Sequence, residues 1–291
     1  MSDQKTVFVA GATGAQGGAT VNALLERGHK VVAMTRTPDS DAAKALSERG
    51  VDVRQGDYTD ADAITKAAEG ADSAFAVSTS FEVGPEAEVD QGKSLLNALH
   101  SAGVGHIVFS TVGSADKSTG IAHFDGKYEI EKHLATLGTP STVMGPVFFM
   151  ENLLSPWGQP KLGEGIYTAG MPGDRKLQQV AVKNIGDFAA ALIERGESVY
   201  GKRYDIAGDE LNGNKTAAHV SKASGREIVY HGFSPDVLRE QSADMADMFT
   251  WFNDVGYSAD IDTLRRGFQD VNWLNYADWL ASQDLSGLKS T

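Results

Sequence analysis

Short apolar runs alternate with amphipathic segments through the first half of the chain. Six runs have the length and character of strands: KTVFVA, KVVAMT, VDVRQGD, ADSAFAVS, HIVFST and PSTVMGP. Between them, the spacing of apolar residues predicts helices from about Ala15, over 40–49, over 85–103 and around Lys127. Strands and helices that alternate in this way are typical of an α/β fold with a doubly wound parallel sheet.

The pattern loosens after Phe148. GEGIYTAGMPG is rich in loop-forming residues, NIGDFAAALIERG predicts a helix, and GKRYDIAG predicts a strand. We therefore predict a large first domain over 1–150 and a smaller C-terminal α/β lobe over 151–291. Within this second part, we expect a segment at about 180–206 to return to the first domain.

The composition is that of a globular protein. The 291 residues, 41% of them apolar, suit one large α/β domain or a domain with an added lobe. No apolar run could cross a bilayer, and MSDQKTVFVAGATG becomes a strand too early for a signal peptide, so we expect a cytoplasmic protein without a membrane segment. Cysteine is absent and the seven histidines lack metal-ligand spacing, which predicts no metal. The net charge of -13 argues against direct binding of nucleic acid.

Three glycines stand between the first strand and the first helix. In VFVAGATGAQGGATV, Gly11, Gly14 and Gly17 have the GxxGxxG spacing, and Thr13 and Gln16 can add side-chain donors. Residues without a Cβ allow a tight turn and a close approach of a pyrophosphate to the backbone, and the helix N-terminus attracts the anion. A glycine-rich turn without a ligand is the alternative. The position at the start of a βαβ unit favours a Rossmann-type dinucleotide-binding domain.

The ends of the second and third strands indicate which dinucleotide. Where an NAD-binding protein needs a carboxylate, this chain has Arg36, whose guanidinium can bind a 2′-phosphate, so NADP(H) is favoured. A solvated loop arginine is the alternative reading. Asp57, just after the third strand, could accept a hydrogen bond from the adenine amino group, or could equally be an ordinary cap or turn residue.

The segment HFDGKYEIEKHL, residues 123–134, predicts a helix with two ionisable side chains on its inward face. The apolar stripe of this helix, followed backwards by turns, reaches Lys127 and then His123. A lysine that faces a core needs an anionic or polar partner. An ion pair with Glu131 on a solvated face is the alternative for the lysine. His123 could transfer a proton, or could be a helix cap or a packed side chain.

Together these stretches resemble the NmrA-like branch of the atypical short-chain dehydrogenases, close to its HSCARG-type NADPH-sensing proteins. The resemblance covers most of the chain, and it rests on GATGAQGG, TRTP, GD at 56–57, HFDGKYEIEKHL, FFMENLL at 148–154, NIGDFAA and AGDEL at 207–211. It implies a Rossmann domain, a substrate lobe and bound NADP(H). The implied cofactor contacts are Gly11, Thr13, Gly14, Gln16, Gly17, Arg36, Asp57 and Lys127.

The resemblance leaves the activity divided. Short-chain dehydrogenases ordinarily use YxxxK, whereas this chain has His123 and Lys127 at that spacing. The retained lysine is implied to hold the nicotinamide ribose, and both residues are candidate catalytic groups. Some relatives reduce quinones, dyes or phenylpropanoids, and others sense NADPH and change partner or oligomer state. We favour a reductase of a small carbonyl, quinone or enone compound over a sensor that regulates a protein partner; either could be a homodimer.

The stretch after the sixth strand is a candidate substrate and nicotinamide pocket. In the family fold this loop lies against the nicotinamide carboxamide. Phe148 and Phe149 would form an apolar wall, and Asn152 would orient a ligand. The alternative is that the aromatic residues are core residues that dock the second lobe.

Overall fold

The computed structural model describes residues 4–79, 84–155 and 161–288. Its strands are β1 (Thr6–Val9), β2 (Lys30–Thr35), β3 (Asp52–Gln55), β4 (Ser73–Val77), β5 (Ile107–Ser110), β6 (Ser141–Pro146), β7 (Phe148–Phe149), β8 (Ile166–Ala169), β9 (Lys176–Val180), β10 (Arg203–Ile206), β11 (Asp209–Asn212) and β12 (Val229–Gly232). Seven of them form a parallel sheet in the order β10-β6-β5-β4-β1-β2-β3. The six strands predicted from the apolar runs and the doubly wound α/β fold are confirmed.

Helices cover both faces of this sheet. The helices of the described residues, including those such as α7 and α11 that pack in the smaller lobe, are α1 (Ala15–Glu26), α2 (Asp41–Glu48), α3 (Ala61–Ala68), α4 (Pro85–Ser101), α5 (Ala122–Thr136), α6 (Val182–Arg195), α7 (Gly213–Ser224), α8 (Asp236–Arg239), α9 (Ala243–Asp254), α10 (Ile261–Gly267) and α11 (Tyr276–Ala281). The short α3 was not predicted from the sequence. It begins where Asp60 accepts a hydrogen bond from the Ala63 amide at 3.0 Å, an ordinary N-cap. Among the described residues, none of the helices is long and apolar enough to span a bilayer.

Two apolar clusters fix the helices on the sheet. On one face, α1 and α6 pack with residues such as Leu24 and Phe188, and on the other α3, α4 and α5 pack with residues such as Ile64. The helices α1 and α6 touch closely, because a Cβ at Gly186 would overlap the backbone of Ala19. Glycine at 186 is therefore required by packing, and the contact holds α6 on the first domain.

The second half of the chain divides between the large sheet and a smaller lobe. The strand β10 is part of the large sheet, where Arg203 lies opposite Val143 of β6, and the helix α6 packs on that sheet. The remaining strands form a three-stranded sheet, β11-β9-β7, and the pair β12-β8. Tyr276 and Trp279 are fully buried in the lobe. The segment around 180–206 thus contributes to the large sheet, while the domain limits at 150 and 151 stay a prediction.

Candidate functional site

The glycine turn lies where the strand order of the sheet reverses. Strand β1 pairs with β2 on one side and with β4 on the other, and ligands of open α/β sheets bind beyond the carboxyl ends of such strands. Gly11 has a φ of +63°, a conformation that favours glycine, and a Cβ at Gly17 would overlap the Gly11 carbonyl oxygen. Gly14 is the N-cap of α1 and has no side chain that could cap the helix. The turn therefore leaves room for an anion at the start of α1.

Two side chains that the sequence did not assign to this turn, those of Tyr58 and Ser110, support it. The Gly11 amide donates a hydrogen bond of 2.5 Å to the hydroxyl of Tyr58. Burial raises the pKa of Tyr58 to about 12, although that hydrogen bond opposes the shift, so the hydroxyl stays protonated at neutral pH. Ser110, at the end of β5, donates to the Gln16 side-chain oxygen at 2.7 Å. Gln16 therefore connects α1 to the neighbouring strand end.

Arg36 and Asp57 lie together at the exposed end of the site, beyond β2 and β3. Their side chains are 69% and 39% exposed, and the Arg36 Nε lies 3.9 Å from the Asp57 Oδ2. Asp57 also accepts hydrogen bonds from the amide and hydroxyl of Thr59 at 2.8 and 2.6 Å, and these lower the pKa of Asp57. Asp57 is thus a turn residue, as one reading of the sequence held. Its contact with adenine stays a prediction, as do the cofactor contacts of Arg36 and of the exposed Thr13.

Lys127 meets a carboxylate from a neighbouring helix. Its Nζ lies 2.7 Å from the Glu88 Oε1, and it donates to the Ser78 carbonyl oxygen at 2.9 Å, just after β4. The Lys127 side chain is 12% exposed, and that of Glu88 is fully buried. The alternative pair with Glu131 is wrong, because Glu131 binds the Arg203 guanidinium at 3.0 Å. The contact of Lys127 with a nicotinamide ribose stays a prediction.

Close packing of α4 against α5 explains why Glu88 reaches Lys127. A Cβ at Gly92 would overlap the Ile130 side chain, so the two helices approach each other at this point. Glu88 lies one turn before Gly92 on α4, and Lys127 lies one turn before Ile130 on α5. The close approach of the two helices therefore brings the two charges together. Among the described residues, the second carboxylate oxygen of Glu88, Oε2, has no hydrogen-bond partner.

His123 is held by an aspartate from the C-terminal lobe. Asp244, in the first turn of α9, accepts a hydrogen bond from the His123 amide at 3.2 Å through Oδ1, and its Oδ2 contacts the His123 Nδ1. Burial opposes ionisation of Asp244, but the hydrogen bonds and positive charge of His123 outweigh it and lower the pKa of Asp244. The N-cap of α5 is Ile121. His123 is therefore not the cap of this helix, and its own amide is capped by Asp244.

The predicted pocket residues separate into different surroundings. Phe148 packs edge-on against Phe252 of α9, with ring centroids 6.2 Å apart, in the cluster that also contains Phe124 of α5. Phe149 packs against the apolar cluster under the large sheet. Asn152 is half-buried in a short 3-10 helix. The structure thus brings Phe148 close to the start of α5, while the roles of all three residues toward a ligand stay predictions.

Comparison with known proteins places the chain in a family. The NmrA-like family matches residues 3–279, so the chain belongs to it. It is 33% identical to Quinone oxidoreductase 2 of Escherichia coli K12 over 233 residues, 78% of each chain. It is 30% identical to the NAD(P)H azoreductase of Xenophilus azovorans over 228 residues, 77% of this chain and 76% of the relative.

Solved structures show the same fold. NADPH-dependent quinone oxidoreductase QOR2 from Escherichia coli, complexed with NADPH, superposes with a TM-score of 0.80 at 29% identity, over 94% of this chain and 98% of that one. NmrA, a negative transcriptional regulator, gives a TM-score of 0.79 at 20% identity, over 96% of this chain and 95% of the other. The Rossmann-type fold of the NmrA-like family is confirmed.

Proposed function

We propose that this chain binds NADP(H) and reduces a small carbonyl, quinone or enone compound. The proposal rests above all on one arrangement. Lys127 and His123 lie one turn apart on α5, and each is held by a carboxylate, Glu88 or Asp244, beside the carboxyl edge of the sheet. The related quinone oxidoreductase and azoreductase support this reaction class.

The residues present fit NADP(H). The glycine turn leaves space for a pyrophosphate at the start of α1, and the guanidinium of Arg36 is exposed where a 2′-phosphate would lie. The Oε2 of Glu88 is a buried acceptor without a hydrogen-bond partner among the described residues, and a ribose hydroxyl would donate to it. Lys127 would donate to the same ribose. When bound, the cofactor supplies the hydride.

The chain itself would supply the proton. Reduction of a carbonyl leaves a negative charge on the substrate oxygen, and a histidine can neutralise it by giving up a ring proton. His123 occupies the position of the missing tyrosine on the inward face of α5. The Phe148 ring lies in the same aromatic cluster as the start of this helix and would exclude water.

A second candidate is a non-catalytic NADP(H) sensor that regulates a protein partner. It is favoured by the absence of the YxxxK tyrosine, since binding alone needs the lysine and the glycine turn. The two candidates share cofactor binding and differ in the next step, which is hydride transfer in a reductase and a change of protein partner in a sensor.

NADPH oxidation in the presence of a panel of quinones, aldehydes and azo dyes tests the proposal. We expect turnover with at least one acceptor, and a loss in kcat of about 100-fold or more in His123→Ala with nearly unchanged affinity for NADPH. His133→Ala, at a half-buried position near the other end of the same helix, is the matched control. NADPH binding without acceptor-dependent oxidation would support the sensor instead. Failure to bind NADPH would overturn both.

A further inference from the structure

Asp244 joins two parts of the molecule that the chain order keeps far apart. It lies 121 residues after His123, in the first turn of α9, yet both of its carboxylate oxygens contact that one residue. One oxygen accepts the backbone amide of α5, and the other contacts the ring Nδ1. Two contacts to one carboxylate fix both the start of the helix and the orientation of the imidazole.

An apolar contact behind this pair holds α9 against α5. The Phe124 ring lies 6.0 Å from that of Trp251 and is stacked 6.2 Å from that of Tyr257, and Phe252 is fully buried in the same cluster. A side chain whose backbone is fixed by such packing has few alternative positions. The Asp244 carboxylate is therefore set in place by the core of the second lobe.

The charges around His123 agree with a role in proton transfer. Asp244 is the acidic group of α9 that contacts the ring, and it is 29% exposed. Lys127, one turn further along α5, is paired with the buried Glu88. The positive charge of Lys127 is thus compensated within its own pair, and Asp244 can stabilise a positive charge on His123.

We propose that Asp244 is a positioning residue that holds the His123 imidazole by Nδ1, so that Nε2 is the ring nitrogen that gives its proton to the substrate. This inference rests on the proposed function. As a hydride adds to the carbonyl carbon, the Nε2–H bond breaks and an O–H bond forms on the substrate oxygen. The carbonyl compound is reduced and the cofactor is oxidised. The imidazole is left neutral, with its remaining proton on Nδ1 facing Asp244, and it regains a proton from solvent.

Asp244→Asn separates positioning from folding. The asparagine oxygen can still accept the His123 amide and cap α5, but it brings no negative charge. We expect kcat to fall about 10-fold to 100-fold with little change in KM. Asp247 lies on the same helix as Asp244 and forms an exposed ion pair with Arg239 of α8, so Asp247→Asn is the matched control.

The ring of His123 gives a readout that does not depend on turnover. In ¹⁵N NMR spectra, assigned with the His123→Ala protein, the chemical shifts of the two ring nitrogens report which of them carries a proton, and these shifts should change in Asp244→Asn. Unchanged kcat and unchanged ¹⁵N shifts of the His123 ring in Asp244→Asn would overturn the role of Asp244 alone. Absence of turnover in the wild type would overturn the proton-donor role together with the proposed function.

Discussion

The two ends of the candidate site are built in opposite ways. The open region consists of the glycine turn over 11–17 with Arg36 and Asp57. The enclosed region consists of Ser78, Glu88, His123, Lys127 and Asp244. The Arg36 side chain is 69% exposed, whereas Glu88 has no exposed surface. The open region consists of residues that are close in the chain or that follow neighbouring strands. The enclosed region takes most of its side chains from three helices, α4 and α5 of the first domain and α9 of the second lobe.

Arg36 and Asp57 contribute less to stability than the charged residues of the enclosed region. Water solvates both side chains, so a change there should hardly affect the fold, and under the proposed function it acts on cofactor binding. In the enclosed region each charge depends on a partner, because a lone buried charge is strongly destabilising. We therefore expect substitutions of Arg36 or Asp57 to leave the stability of the protein nearly unchanged, and substitutions in the enclosed region to lower it.

Removing Glu88 should give the largest effect. Glu88→Ala leaves the Lys127 ammonium in a nearly buried site without its carboxylate, and we expect the free energy of unfolding to fall by about 3–5 kcal/mol. Urea denaturation without cofactor measures it. The double variant Glu88→Leu/Lys127→Met should recover much of the loss. Glu129→Ala, which breaks an exposed pair with Lys132 on the same helix, should change little. A loss as small as that of Glu129→Ala would contradict the enclosed character of the pair.

A side chain at Gly14 should act on the ligand and leave the fold intact. A Cβ there would meet only the Gly11 carbonyl oxygen at 3.3 Å, within the turn itself, but a valine side chain would fill the space of the pyrophosphate. We expect NADPH affinity to fall by roughly 3 kcal/mol, about 100-fold, in Gly14→Val. Calorimetry and thermal melting report the two effects. Gly18→Ala, whose added Cβ makes ordinary contacts, is the control. Normal NADPH binding by folded Gly14→Val would show that no pyrophosphate lies at this turn.

Arg36→Ala should reduce the preference for NADP(H) with little loss of stability. A charge-assisted hydrogen bond to the 2′-phosphate is worth roughly 1–3 kcal/mol, so we expect that penalty for NADPH and almost none for NADH. The binding of adenosine 2′,5′-bisphosphate should weaken in parallel with that of NADPH, because this compound contains the 2′-phosphate without the nicotinamide. Equal affinities of the wild type for NADPH and NADH would refute this role of Arg36.

Lys127 should give the smallest change in affinity, and only at the nicotinamide end. One hydrogen bond from the Lys127 ammonium to a ribose hydroxyl should contribute a net gain of about 1 kcal/mol. The measurement compares the NADPH affinity of Glu88→Gln with that of Glu88→Gln/Lys127→Met, so that neither protein has an unpaired carboxylate at position 88. NADPH should bind about fivefold more weakly to the double variant, and adenosine 2′,5′-bisphosphate equally well to both. A parallel loss for the bisphosphate would mean that Lys127 acts through the fold.

The local features of this protein could be predicted from its sequence. The six apolar runs became the strands of the large sheet, and the glycine turn lies at the switch point, because strand pattern and turn chemistry depend on residues close in the chain. The inward position of Lys127 and His123 also followed from helical periodicity. The inward position of Glu88 could also have been predicted, since Glu88 lies on the same stripe of α4 as Gly92, Leu95 and Leu99.

The partners of these side chains were decided by tertiary structure. The alternative protein partner of Lys127 was Glu131, but Lys127 meets Glu88, 39 residues away, because α4 and α5 approach each other at Gly92. His123 meets Asp244 because the aromatic core of the second lobe docks α9 on α5. Periodicity fixes which face of a helix turns inward. Which charged partner an inward side chain meets depends on how helices that are distant in the chain pack together, and packing is a property of the whole chain.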